Sequence, residues 1–147
     1  MATIRGGKKL GPLLNKIAVS ASGATKVKIG FMANATYPDG KSVALIAAIQ
    51  EFGAPSRNIP PRPFFRTMVQ EKSPEWPSAI RSLLKANDYD AKKTLEMTGL
   101  AIQGQLQQSI RDWTTPPNAP STIARKGFNK PLIDTSHMLN SVTYVVE

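Results

Sequence analysis

The chain contains no cysteine. That removes disulfide scaffolds, thiolate zinc sites and cysteine nucleophiles together. It has one histidine, and zinc sites draw heavily on histidine and cysteine, so no metal is expected. Acids are scarce, ten against nineteen lysines and arginines, and the residues from Met1 to Pro38 contain none. No apolar run approaches the roughly 20 residues that a membrane-spanning helix needs, so a soluble chain with no membrane partner is expected. There is also no run of five or more like charges, which excludes a polybasic nucleic-acid arm. Internal repeats and low-complexity segments are absent as well.

What is present is a strong positive balance. A net charge of +9 and a pI near 10.0 favour association with something acidic, such as nucleic acid, an anionic surface or an acidic protein face. The 147 residues fit one domain, and a chain of that size buries about two thirds of its unfolded surface without help from metal or disulfide. Residues 1–25 read as a basic N-terminal segment and residues 26–147 as the domain proper. The segment imitates a secretion signal, but Asn15 and Lys16 split its apolar stretch. Leu10, Leu13, Leu14 and Ile17 follow helical spacing instead, giving a short amphipathic helix.

The remaining pattern predicts an α+β fold, with a small antiparallel or mixed sheet packed on one long helix and several short ones. "KVKIGFMA" (Lys26 to Ala33) sets Val27, Ile29 and Phe31 against Lys28, Gly30 and Met32, as a half-buried strand does. Pro38-Asp39-Gly40 supplies a turn. A helix over Val43 to Phe52 is capped by Ser42 and stopped by Gly53 in a left-handed conformation. Pro63 opens a helix to about Glu71, "KSPEWP" breaks it, and "SAIRSLLKA" forms another. In the longest helix, Ala91 to Asp112, the stripe Leu95, Gly99, Ile102, Leu106, Ile110 and Trp113 faces a core. Ser121 caps a short helix through Lys126, closed by Gly127. Asp134 or Thr135 caps another through Asn140, and "SVTYVVE" is a second alternating strand.

No constellation of side chains points to catalysis. Asp134, Thr135, Ser136 and His137 gather an acid, two hydroxyls and the lone histidine. Consecutive residues at a helix start point in different directions, however, whereas a triad needs side chains that converge. "SGATK" lacks the spacing and the preceding strand of a phosphate loop. The acids are too scattered for a carboxylate pair. The expectation is a non-enzyme with no cofactor.

One stretch stands out. "NIPPRPFFR", Asn58 to Arg66, puts three prolines, two arginines and two adjacent phenylalanines into nine positions. Pro60 and Pro61 hold it extended, and Arg62, preceding Pro63, is kept from helical angles. Phe64, Phe65, Met68 and Val69 then form an apolar cluster. Arg62 and Arg66 lie at the positive end of the following helix, where a cation is disfavoured. Glu51 is the converse, an acid in the last turn of its own helix. Pairing Glu51 with Arg62 or Arg66 resolves both misplacements. Arg62 is the expected anchor, with Glu51 its favoured partner and Asp134 the second choice.

The order "VKIGFM…YPDG…VALIAAIQEFG…IPPRPFFR…LIDTSHMLNSVTYVV" resembles the tail-component, or tail-completion, proteins of long-tailed bacteriophages, which act at the neck in head–tail joining. The matching residues are Glu51, Phe52 and Gly53; Ile59, Pro60, Arg62, Pro63 and Phe64; then Pro131, Leu132, Asp134, Thr135 and Leu139. Phe65 and Arg66 extend the second block. The resemblance runs from about Val27 onward, with Ser136 standing where the family usually has glycine.

That resemblance implies a structural virion protein without catalysis, made in the host cytoplasm and built into the neck. It implies a homo-oligomeric ring, six copies favoured. A head-side connector, adaptor or stopper would lie on one side and a tail terminator or tail tube protein on the other. Double-stranded DNA would pass through the lumen without sequence-specific binding. Most lysines and arginines are then expected to face neighbouring proteins or solvent, with the N-terminal basic segment against an acidic neighbour. The competing readings are a basic nucleic-acid-binding module, a toxin-like or regulatory enzyme and, within phages, a tail terminator or head-closure stopper.

Overall fold

A computed structural model describes residues 7–147 of the chain. The basic start from Met1 to Gly6, including Arg5, lies outside the described residues. Helix α1 (Gly7–Ala21) is followed by strand β1 (Val27–Phe31), α2 (Val43–Phe52), α3 (Phe64–Lys72), α4 (Trp76–Ala86), α5 (Ala91–Asp112), α6 (Pro120–Lys126), α7 (His137–Asn140) and strand β2 (Val142–Val146). The fold is α+β. Its sheet has two strands, β1 antiparallel to β2, with Val27 opposite Val146 and Phe31 opposite Val142. No helix among the described residues is long and apolar enough to cross a membrane.

The long helix organises the rest. Asp90 caps α5 by accepting from the Lys93 N–H at 2.9 Å, which satisfies an amide with no partner inside the helix. Gly99, Ile102, Leu106 and Ile110 are buried on one face, with Leu95 and Trp113 half-buried at its ends. Around that face Val43 and Ala47 of α2, Phe64 and Met68 of α3, Leu132, Met138 and Leu139, and Val142 of β2 complete the core. Thr94 and Thr98 are buried beside the apolar stripe, and the Thr98 hydroxyl donates to the Thr94 carbonyl at 2.8 Å. A helical threonine can be buried this way because its hydroxyl finds an acceptor one turn back.

Gly99 sets how closely the sheet approaches. A Cβ built there would stand 2.5 Å from the Tyr144 ring and 2.9 Å from Val27. Alanine normally helps a helix by about 0.8–1.0 kcal/mol relative to glycine. Here Gly99→Ala is expected to destabilise by about 1–3 kcal/mol through overpacking, measured by urea denaturation. Unchanged or raised stability would show that the sheet does not press on α5.

Several boundaries differ from the sequence expectation. The break at "KSPEWP" is only a 3-10 turn (Ser73–Glu75) leading straight into α4, because Pro77 sits in the first turn of α4, where its missing N–H costs nothing. Pro63 lies one position before α3 rather than inside it. Ala119, not Ser121, occupies the cap of α6, and Pro120 takes the first helical position. Gly53 has positive φ as expected (76°), but its ψ of 173° is extended rather than left-handed. A Cβ there would meet the Pro61 nitrogen at 2.8 Å and the Ile59 carbonyl at 2.9 Å, so glycine is required on two counts.

α1 is amphipathic, yet Leu10, Leu13 and Leu14 of its apolar stripe stay exposed and Ile17 is only half-buried. At the sheet edge, the Glu147 carboxylate takes Lys26 and Lys28, each at 2.9 Å. Those contacts, Lys26 first, hold it at about 2. Because the shift is downward, any stability it gives is present above the ordinary carboxylate range and is lost as pH falls through about 2. All three groups are exposed, so salt weakens the cluster.

Candidate functional site

The junction between α2 and α3 is built around two buried charges. Glu51, only 5% exposed, projects from the last turn of α2. Its carboxylate accepts from the backbone N–H of Phe65 at 2.9 Å and of Arg66 at 3.2 Å, and from Arg66 Nε at 2.7 Å. Pro63, at the cap position of α3, has no side chain able to cap. Glu51 therefore does so from a neighbouring helix, placing its negative charge on the positive end of α3. The Arg66 guanidinium also lies 5.0 Å from the Phe52 ring centroid, a cation–π contact.

Arg62 corrects the sequence reading. It is 6% exposed, and neither Glu51 nor Asp134 is its partner. Its Nε donates to the Pro116 carbonyl at 3.1 Å, Nη2 to the Pro117 carbonyl at 3.2 Å and Nη1 to Gln50 Oε1 at 3.1 Å. Its own N–H donates to the Gln50 carbonyl at 2.7 Å. A planar guanidinium can hold several carbonyls at fixed angles, so Arg62 ties α2, the proline segment and the loop after α5 together. The Thr115–Pro116 peptide bond in that loop is cis. Burial moves the guanidinium below its usual range without neutralising it. Asp134 pairs instead with Arg125, at 3.4 Å.

The α7 cap is the second correction. Neither Asp134 nor Thr135 caps this helix. Ser136 occupies the cap position at φ 62°, ψ 8° and makes no side-chain cap bond. Ser136 thus holds a left-handed conformation that glycine prefers. A left-handed conformation costs other residues roughly 1–2 kcal/mol, offset in part by glycine's greater freedom when unfolded, about 0.5–1 kcal/mol. Ser136→Gly is expected to raise stability by up to about 1 kcal/mol. A thermal melt showing a loss would indicate that the serine side chain matters.

Arg62 forms the floor of a groove of about 990 Å³. Its lining includes the turn at Tyr37, Pro38, Asp39 and Lys41, with Ile46, Gln50 and the Asn58–Pro60 segment. Pro117–Ala119, Thr122, Arg125 and Lys126 of α6, and residues 131–138 complete the lining. His137 closes one end, its Nε2 2.8 Å from the Thr36 carbonyl and its ring 4.7 Å from that of Tyr37. Asn118 is 8% exposed, and its Nδ2 has no partner. The rim acids are already engaged, Asp39 with Lys41 at 2.9 Å and Asp134 with Arg125. Lys126 donates to the Lys130 carbonyl at 2.8 Å and lies 5.0 Å from the Phe128 ring, with no carboxylate at ion-pair distance among the described residues. Its amine is pushed down first by burial and further by Arg125 and Arg62, against the opposing pull of Asp134. The groove thus holds more positive than negative charge.

Of the sequence-predicted residues, Ile59, Pro60, Arg62, Asp134 and Thr135 line this groove, and Pro131 and Leu132 join them from the same motif. Phe64 and Leu139 are core residues. Glu51, Phe52, Phe65 and Arg66 surround a smaller apolar pit of about 230 Å³ on the other side of the junction, while Gly53 and Pro63 shape the backbone between the two. Gln50, Asn118 and Lys126 were not anticipated, because solitary polar residues carry no local signal. Among the described residues no cluster of three or more His, Asp or Glu could hold a metal ion. Comparison with protein-family models, curated proteins and solved structures finds no match to this chain.

Proposed function

We propose that the protein is a structural subunit of a bacteriophage neck, forming a ring, six copies favoured, that joins or completes the tail around the DNA passage. What supports this reading is where the motifs fall. Ile59, Pro60 and Arg62 of "IPPRP" and all of "PLIDT", far apart in the sequence, line one groove, and Arg62 ties the surrounding segments together. A stiff, proline-walled recess held by buried polar contacts suits docking between protein surfaces more than turnover of a small substrate. Head-to-tail subunit contacts give a ring only when the rotation between subunits closes. A head-side connector or stopper and a tail terminator or tube protein are the partners this role requires.

The decisive experiment is a virion reconstruction. The expected result is density for this chain as a closed ring on the head–tail axis, with Lys8, Lys9, Lys16, Lys26 and Lys28 turned away from the lumen. A dense positive lining would bind DNA phosphates and hinder their passage. A single copy, or a position away from that axis, would overturn the assignment. Steeply salt-dependent DNA binding by the isolated chain would favour the nucleic-acid-binding alternative instead.

A further inference from the structure

The groove floor carries donors that the chain itself does not use. Asn118 Nδ2 is buried without an acceptor. Arg62 spends one N–H of each nitrogen on the chain's own carbonyls, leaving a second on each terminal nitrogen. Lys126 gives one N–H to the Lys130 carbonyl and lies 5.0 Å from the Phe128 ring, but it has no carboxylate at ion-pair distance among the described residues. Buried donors of this kind are normally satisfied, and here the missing complement is an acceptor bearing negative charge.

We propose that this groove receives an extended acidic segment of a different protein, with one aspartate or glutamate carboxylate seated between Arg62, Asn118 and Lys126. The volume, about 990 Å³, lies at the upper end of the roughly 300–1,000 Å³ typical of ligand pockets, more than a lone ion fills. Ile46, Ile59, Pro60, Leu132 and Ile133 supply apolar wall, so the carboxylate is flanked by apolar side chains.

Charge selects the partner. A second copy of this chain fits poorly, because its exposed acids come with bases close by: Glu71 and Glu75 with Lys72, Asp88 and Asp90 with Lys85 and Lys92, Glu96 with Lys93, Asp112 with Arg111. With these six acids a copy brings five bases, so it offers no strongly acidic segment. Nucleic acid fits poorly too. Tyr37, the ring on which a base could stack, is already packed against His137, 4.7 Å between ring centroids. The inference rests on the assembly reading for why such a partner exists, but its chemistry belongs to the groove alone.

The test uses the full chain, isotope-labelled, titrated with an acetylated and amidated peptide, Leu-Asp-Leu-Asp-Leu, and followed by NMR. Shifts are expected at the Asn118 side-chain amide, at Arg62 Nε and at Lys126, with the all-asparagine peptide at least tenfold weaker. Lys126→Glu, a part-exposed substitution that leaves the core intact, is expected to weaken binding of the aspartate peptide at least tenfold. Three outcomes overturn the proposal: no shift at these groups, equal binding of the asparagine peptide, or an oligothymidine that shifts the same signals more strongly. A concentration-dependent mass with these same signals moving in the unliganded chain would assign the groove to a second copy, and also overturns it. None of these results alters where the chain sits in a virion, so the neck reading stands or falls separately.

Discussion

Arg62→Ala is expected to lower the unfolding free energy by about 3 kcal/mol, and Arg62→Lys to recover less than half of that. The alanine variant strands the Pro116 and Pro117 carbonyls and the Gln50 side chain, all three of which Arg62 now satisfies. A buried group left without its partner costs about 1–3 kcal/mol. The lower part of that range applies to Pro116 and Pro117, which are half-buried and exposed and so gain some access to water. Lysine carries a single ammonium and cannot reach three acceptors at the angles set by a planar guanidinium. Because Arg62 is also restrained by Pro61 before it and Pro63 after it, little backbone entropy returns when its side chain is lost. Urea denaturation of the wild type and both variants measures the ordering. Equal stability of all three would mean that the loop after α5 is held by something else.

Phe64→Ala is expected to have the larger effect, about 3–5 kcal/mol. For a chain of this length that corresponds to a drop in Tm on the order of 10 °C. Phe64 is 1% exposed, and its ring lies 6.5 Å from that of Phe31, edge to face. Its backbone carbonyl accepts from the Ser109 hydroxyl at 2.8 Å, so residue 64 links β1, α3 and α5, and the ring is the part the alanine variant removes. Phe65→Ala should cost clearly less, because its half-buried ring borders the small apolar pit. Thermal melts on both variants separate them. A Phe64→Ala variant that melts like the wild type but fails to assemble would move this ring from the core to an interface.

Elements set by neighbours in sequence were legible. Ser42 accepts from the Leu45 N–H at 3.3 Å and starts α2 where a serine before an apolar helix should. The bounds of α5 follow from Asp90 before it and the "TTPPNAP" segment after it. Misplaced charge was legible as well, since Glu51 and Arg66 do resolve each other. What could not be read was the partner of Arg62. Its acceptors are mostly backbone carbonyls, which every residue has, brought in by a loop more than 50 positions away. The α7 cap failed for a related reason. Ser136 takes a left-handed backbone, and that displaces the side chains on which a capping argument depends. The groove needed both walls at once, and no periodicity links residues 37–62 to residues 117–138.

The pairing of β1 with β2 has a kinetic meaning. Lys28 and Glu147, partners at the sheet edge, are 119 positions apart. Compared with a tight hairpin, closing such a loop takes about five doublings of length, roughly 3 kcal/mol of extra chain entropy. That cost is met before any strand contact repays it, so the sheet should form late, on a platform of α5 already packed against α3 and α4. Premature release of the strands from that platform would expose Val27, Ile29 and Val146 as unpaired edges. Run in reverse, the same order lets the sheet open while α3, α4 and α5 stay packed, so the ladder-bonded amides of β1 and β2 should exchange through that sub-global opening, whereas those of α1, whose leucines stay exposed, should exchange through local fraying.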